Sequence, residues 1–407
     1  MKALRKLLDN IKPKFEGNKY LHTIFDALET FLFTPREVTV KGSHIRDGID
    51  MKRTMIYVVL ALQLCYLFGS YNMGHQHYAA LGITEGLFDM WGQKLLYGLL
   101  QLLPLFVVVH VVGLGIEFIF AALRGHAVEE GFLVTGALIP LIMPPDVPLW
   151  MVAIATAFAV VIGKEAFGGT GMNFLNIALL TRVFIFFAYP IDISGDIVWV
   201  SYDYSWLHSF VNTVIGGDFL KIASGSAVAD GFSGATPLAL AAKGGWSNVM
   251  QNYTVDDMLW GWIPGSIGEM SKIACIAGAG FLVMTGIGSW RIMVSMIVGC
   301  ATMGLIFNVF APSDTSFLAV PFQYHFLMGG FWFAMAFMAT DPVTAASTDL
   351  GKLIYGFLIG MVGLIIRVTN PAYPEGWMMA ILLMNVMAPL IDHYVIQANI
   401  NRRLSHV

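Results

Sequence analysis

Charge is what this 407-residue chain has least of: 12% of its residues are Asp, Glu, Lys or Arg, while 57% are hydrophobic. Soluble domains carry about 25% charged residues, so about half of the usual solvating charge is missing. A water-soluble fold of this size is excluded, because nothing would cover its surface, and a mean hydropathy of +0.69 fits lipid as the solvent. The basic residues are sparse and dispersed, which excludes a nucleic-acid footprint. The net charge of −4 matters less than where the charges fall. Cysteine is scarce too. Cys65, Cys275 and Cys300 sit inside apolar runs and form no CxxC pair, so no self-contained iron–sulfur or zinc site is expected. The first 33 residues lack the apolar centre and small-residue cleavage site of a signal peptide. No GxGxxG fingerprint follows a strand-like run.

What the chain does have is long apolar runs. A spanning helix needs about 20 apolar residues, and ten runs qualify, some only if tilted or kinked: about 54–72, 95–121, 131–144, 147–163, 174–190, 265–287, 291–311, 323–340, 351–369 and 377–393. The third and fifth are short, and the third carries Pro140, Pro144 and Pro145. Such interrupted segments survive at membrane depth only where protein or a cavity meets them. The expected fold is therefore an all-α polytopic membrane protein of about ten transmembrane helices.

Eleven of the 23 basic residues precede the first run: Lys2, Arg5, Lys6, Lys12, Lys14, Lys19, Arg36, Lys41, Arg46, Lys52 and Arg53. Placing them in the cytoplasm also puts Arg124, Lys164, Arg291, Lys352, Arg402 and Arg403 there, and leaves mainly Lys94, Lys221, Lys243 and Arg367 outside. That is a positive-inside bias, with both termini cytoplasmic. The expected organisation is a cytoplasmic segment (1–53), a first five-helix half (54–190), an external loop (191–262), a second five-helix half (263–393) and a cytoplasmic tail (394–407). An odd number of spans per half inverts one half relative to the other. Two echoes agree. Phe132 to Pro148, with Pro145-Asp146, parallels Phe331 to Ala346, with Asp341-Pro342; the break Gly168 to Asn173 parallels Asn370 to Gly376. The spacing of Leu4, Leu7, Leu8 and Ile11 is amphipathic and suits a membrane surface or a partner.

Polar side chains within the runs each need a reason, since a charge at membrane depth costs roughly 2.5–3.5 kcal/mol on insertion scales. Glu117, Asp341 and Asp392 fall near the cytoplasmic ends of the second, eighth and tenth runs. They suit either oxygen ligation of a hard cation or pairing with Arg124, Lys352 or Arg402. Arg182, mid-run, calls for an acid or a cofactor oxygen. His110 is expected to be a hydrogen-bonded interior histidine, and His75 and His77 have no further ligand near enough in sequence for a metal. Asn173 and Asn176 share a helical face, where they either cap the helix and satisfy broken backbone or meet a planar cofactor edge. In the external loop, Asp230-Gly231-Phe232-Ser233-Gly234-Ala235-Thr236-Pro237 reads on local pattern as a helix start. Thr236 is the N-cap, Pro237 the first position, Leu238 to Lys243 a short helix and Gly244-Gly245 its end.

Asp-x-x-Ser-Gly-Ala-Thr at 230–236 also resembles the sequence at which a flavin transferase esterifies FMN, through its phosphate, to a threonine hydroxyl. Together with Ser43 to Asp47, Lys164 to Asn176, Phe186 to Pro190, Ser194-Gly195-Asp196, Ile263 to Glu269, Met338 to Val343, Asn370 to Gly376 and Pro389 to His393, it makes nearly the whole chain similar to one family. That family is the B subunits of bacterial Na+-translocating NADH:quinone oxidoreductases (Na+-NQR), relatives of the membrane flavin protein of the Rnf complex. The resemblance implies an inner-membrane complex of six subunits that passes electrons from NADH to ubiquinone or menaquinone and exports Na+. The partners would be an NADH-oxidising flavin and iron–sulfur subunit, a second FMN-bearing subunit and further membrane subunits. It implies covalent FMN on Thr236, within the recognition sequence Asp230, Ser233, Gly234 and Ala235, and non-covalent riboflavin contacted by Asn173 and Asn176. It implies quinone near Gly113 and Glu117, and Na+ uptake past Glu117, Asp341 and Asp392. The missing dinucleotide fingerprint agrees that NADH is oxidised elsewhere. Departures exist: Ile177 replaces a usual proline, Leu114 replaces the second of two glycines, the loop between the first two spans is shorter and 201–229 is longer. The competing expectations are an Rnf-type membrane protein and a flavin-free secondary transporter, which would share the inverted halves.

Overall fold

The computed structural model describes residues 2–15, 51–83, 86–125, 131–193, 234–313, 315–370 and 375–405, with positions 22, 25, 29, 32–33, 39, 42–43 and 200. Among the described residues there are helices and turns and no strand. A short helix, α1 (Lys2–Ile11), carries the amphipathic pattern expected of it, and Arg5 and Lys12 both reach Glu29, at 2.8 and 3.1 Å.

The first half runs α2 (Met51–Ala80), α3 (Trp91–Arg124), α4 (Phe132–Ile142), α5 (Leu149–Gly163) and α6 (Ile177–Ala188). Two helices, α7 (Pro237–Asn252) and α8 (Val255–Trp260), follow. The second half runs α9 (Lys272–Met284), α10 (Trp290–Phe310), α11 (Phe331–Phe333, continuing as a π turn over Ala334–Met338), α12 (Asp349–Thr369) and α13 (Trp377–Leu404). Six of these are long and apolar enough to cross a membrane, and α4, α6 and α9 are shorter apolar helices.

Local chemistry sets the breaks. α4 stops at Ile142 because Met143, held extended before Pro144, cannot continue a helix. Before α6, Gly168, Gly169 and Gly171 all take positive φ, a path open to residues without a Cβ. Two of the expected runs are shorter as helices than their apolar lengths. The sixth (265–287) becomes helical only at Lys272, after Ser271 caps it through Ala274 N at 3.2 Å. The eighth (323–340) divides into 3-10 turns, the Gly329-Gly330 corner and the short α11. The length of an apolar run does not register either break, since Ile267 and Met270 in one stretch and Phe326, Leu327 and Met328 in the other stand among the polar residues. These pieces lie inside: Phe132 and Ile139 of α4, and Phe331 and Phe333 of α11, are buried.

The halves repeat one pairing scheme. The second and fourth helices run parallel in both. Glu117 on α3 pairs with Lys164 just after α5, and Gln101 with Asp146 just before it; likewise Gly356 on α12 abuts Ile292 and Gly360 abuts Met296 on α10. The fourth and fifth run antiparallel in both. Trp150 meets Tyr189 and Phe158 meets Phe184 across α5 and α6, as Tyr355 meets Asn385 and Gly363 meets Trp377 across α12 and α13. Between halves, α2 and α9 cross antiparallel: Tyr57 faces Phe281, Cys65 lies 3.9 Å from Cys275, and Asn72 reaches Met270. First helix against first helix in opposite senses is inverted topology, as the odd span count implied. The echoes fall at equivalent places too, with Phe132 and Phe331 opening the third elements and both glycine-bearing breaks preceding the fifth.

Small residues set the closest approaches, as in other membrane bundles. A Cβ on Gly360 would run into the backbone of Met296 and Cys300, whereas one on Gly280 would meet nothing. Gly360→Ala is therefore expected to lower the melting temperature despite gaining about 1 kcal/mol of helix propensity, and Gly280→Ala to hold or raise it. Thermal unfolding in detergent tests the pair; equal effects would contradict the close crossing of α10 and α12.

Candidate functional site

Thr236 caps α7. Its backbone is extended (φ −70°, ψ 152°), its Oγ1 accepts from Ala239 N at 3.1 Å, and Pro237 takes the first helical position, as the sequence indicated. The first helical stretch ends at Gly244-Gly245, again as the sequence indicated: both leave helical φ/ψ, Gly245 (φ 68°) turns the chain, and a second helical stretch then runs to Asn252. Two contacts fix the cap. Tyr253 Oη donates to Ala235 O at 2.8 Å, and Trp246 stacks on Tyr324 of the second half at 3.8 Å. Gly234 is buried and Ala235 and Thr236 are half-buried, while Asp230 and Ser233 lie outside the described residues.

Thr236 lines a cavity between the halves. Its apolar wall includes Ile193, Leu238, Ile263 and Pro264; its charged wall is Arg182, Glu269, Lys272 and Glu375. Arg182 on α6 donates to Glu269 Oε1 at 2.6 Å, with both side chains almost fully buried. The partner that Arg182 called for is thus an acid, from the opposite half.

A second cavity lies at the other end of the bundle and is lined by Lys164, Thr170, Asn173, Asn176, Phe337 and Asp341, among others. The beginning of α2 (Thr54, Met55) lines it, whereas Asn72 near the end of α2 bonds Ile263 O beside the first cavity. Helix α6 touches both, with Asn176 at one and Arg182 at the other, six residues or about 9 Å of rise apart. Asn176 Oδ1 accepts from Leu179 N at 3.2 Å, capping α6, and its Nδ2 reaches Asp341 Oδ2 at 3.4 Å. Asn173 Nδ2 donates to Leu175 O at 3.0 Å. Both asparagines therefore satisfy broken backbone and open onto the cavity.

The acids are placed separately. Glu117 pairs with Lys164, not with Arg124, which takes Glu165 at 3.0 Å. Asp341 accepts from Val343 N at 3.1 Å and Thr344 Oγ1 at 3.0 Å. Asp392, on α13, accepts from Ser347 N at 2.7 Å and Thr348 N at 3.0 Å, anchoring the start of α12. Among the described residues neither Asp341 nor Asp392 is ion-paired, and no group of three His, Cys, Asp or Glu is arranged to hold a metal ion. Gly113 packs against the Phe132 ring and lines neither cavity. His110 Nδ1 bonds Phe106 O at 2.9 Å, as an interior histidine should. His75 meets Lys94 at 3.2 Å, and His77 stacks on Tyr97 at 4.0 Å.

Residues 38–401 match the family model described as NQR2, RnfD, RnfE. The chain belongs to this family. It is 43% identical to the B subunit of the Na(+)-translocating NADH-quinone reductase of Chromohalobacter salexigens, over 99% of this chain and 96% of that one. The protein of the same name from Pseudomonas aeruginosa is 43% identical over 99% of both chains, and that of Stutzerimonas stutzeri 42% identical over 99% of both.

For an NQR2, RnfD, RnfE family chain, the least legible part of the site was its charge. Glu269 and Lys272 open a run that reads simply as a span, and nothing local joins Arg182 to an acid 87 residues away. An ionisable residue in an apolar run was the one available signal. Removing one partner of a buried ion pair costs about 3–5 kcal/mol, whereas replacing both by apolar groups is often neutral. Glu269→Leu is expected to destabilise the chain by that amount and Arg182→Met/Glu269→Leu to recover most of it. Denaturant unfolding of the purified variants measures this, and purely additive losses would contradict the pairing.

Proposed function

We propose that this chain is the flavin-bearing membrane subunit of a redox-driven Na+ pump, a Na+-translocating NADH:quinone reductase. It would lie in the bacterial inner membrane with both termini in the cytoplasm and Thr236 on the outer side. The observation that carries the proposal is that Thr236, whose hydroxyl caps a helix, lines a cavity with one apolar and one charged wall. An ester phosphate on that oxygen would sit at the N-terminus of α7, where free amides and the helix dipole favour an anion. The chemistry of the lining suits FMN: apolar walls match a planar ring, and Lys272 and Arg182 supply positive charge. Bound there, FMN supplies one- and two-electron redox chemistry. The chain's own part is to fix the tether through the Thr236 cap and Tyr253, to exclude water with Ile193, Leu238 and Pro264, and to hold charge on Arg182 and Lys272.

The second cavity would take riboflavin, with Asn173 and Asn176 offering neutral amides to the ring edge. Glu117, Asp341 and Asp392 would serve Na+ uptake and Glu117 would also flank the quinone path near Gly113, with ubiquinone or menaquinone as acceptor. The NADH-oxidising subunit, the second FMN-bearing subunit and the remaining membrane subunits of a six-subunit complex would surround it, and an exported flavin transferase would attach the FMN. Near-full-length matches to relatives named as B subunits of the Na(+)-translocating reductase favour this reading over an Rnf-type protein.

In-gel fluorescence of the denatured chain, from cells possessing the transferase, is expected to show a flavin band that disappears in Thr236→Asn. Asparagine keeps the capping acceptor but offers no hydroxyl, so loss of flavin is separated from loss of fold. A dark wild-type band would point instead to a flavin-free transporter. For Na+, Asp341→Asn is expected to raise the half-saturating concentration for turnover about tenfold, near 1.4 kcal/mol. The same for Asp392→Asn should be smaller and accompanied by loss of stability, because that carboxylate also anchors α12. Unchanged Na+ dependence in both would remove these residues from the path.

A further inference from the structure

Lys272 is the first residue of α9, the position at which a helix dipole disfavours a cation. Its side chain is 1% exposed. Two of its three N–H groups donate to backbone carbonyls, Met270 O at 2.9 Å and Glu269 O at 3.2 Å. Those are dipoles, not an opposite charge, and among the described residues no carboxylate forms an ion pair with Lys272. Glu269 is engaged by Arg182 at 2.6 Å, and Glu375 Oε1 accepts from Gly330 N at 2.9 Å. Arg367 stands behind the same wall, with Nη2 2.9 Å from where a Cβ on Gly329 would be. Among the described residues, three cations thus stand near two carboxylates. A buried ammonium with no carboxylate in direct contact is costly enough that it normally marks a function. Lys272 lines the same cavity as Thr236.

We infer that Lys272 is a positioning residue whose charge is matched by the anionic flavin tethered at Thr236, so that the cavity is electrostatically complete only when flavinylated. This rests on the reading that Thr236 carries FMN. The negative charge has two sources on one group: the ester phosphate, and the ring edge, which gains one net charge when it takes up two electrons and one proton, the electrons coming from NADH through the complex.

The test is a double-mutant cycle on the assembled complex, crossing Lys272→Met with Thr236→Asn and recording in-gel flavin fluorescence and thermal unfolding. In the flavin-free background Lys272→Met relieves an unmatched charge and raises the midpoint; in the flavin-bearing background it lowers it, each shift being about 2 °C or more. Lys272→Arg, which keeps the charge, holds the flavin-bearing midpoint. Redox titration of the covalent flavin in Lys272→Met then separates the sources. A tenfold loss of the reduced form, about 30 mV for a two-electron couple, assigns the match to the ring, and an unchanged potential with the coupling intact assigns it to the phosphate. A fluorescent band with equal shifts in both backgrounds, or failure of Lys272→Met to assemble in both, overturns the inference and leaves the flavin reading standing. A dark wild-type band overturns both.

Discussion

Backbone amides and carbonyls freed by a broken helix have no water to take them at membrane depth, and each must find a partner within the protein. Several polar side chains of this fold answer to that constraint. Gly268 N, in the non-helical stretch before α9, donates to Leu141 O at the end of α4 at 2.7 Å. Ile263 O receives Asn72, and Met270 O receives Lys272. In the second half, Arg367 donates to His325 O at 2.7 Å, Asn308 serves Leu318 O and Val320 O, and Glu375 serves Gly330 N. The short third elements, α4 and α11, are tolerated only because the long helices enclose them.

The same breaks open the space that gives the molecule its chemistry. Uninterrupted helices pack ridge into groove and leave no room for a ring system. Here one cavity lies where α9 begins late and α7 is capped, and the other where α6 starts after its glycine turn. Inverted halves put one cavity at each end, and α6 and α9 run between them. Each cavity borders charge that crosses from one element to another, Arg182 with Glu269 at the first and Glu117 with Lys164 by the second. Flavins at these two places would be held at opposite ends of a single pair of helices, which is a physical reason for one chain to carry both.

Much of this was legible in the sequence, for identifiable reasons. The ten apolar runs, the inversion and the Thr236 cap follow from length, count and capping chemistry, which are local or additive. Arg182 announced that it needed a partner. What stayed hidden depends on distant segments meeting. Lys164 reaches Glu117 across 47 residues, and Asp392 anchors a helix 44 residues upstream. Neither pairing leaves a trace in spacing. The late start of α9 was hidden for another reason, since Ile263, Ile267 and Met270 are apolar whether helical or extended.

The most direct test of the account is the mass of the tryptic peptide running from Ile222 to Lys243 in the native protein. The account predicts that this peptide carries the added mass of an FMN ester, localised by fragmentation to Thr236 and absent elsewhere in the chain. Recovery of the unmodified peptide alone, from cells with an active transferase, would contradict it.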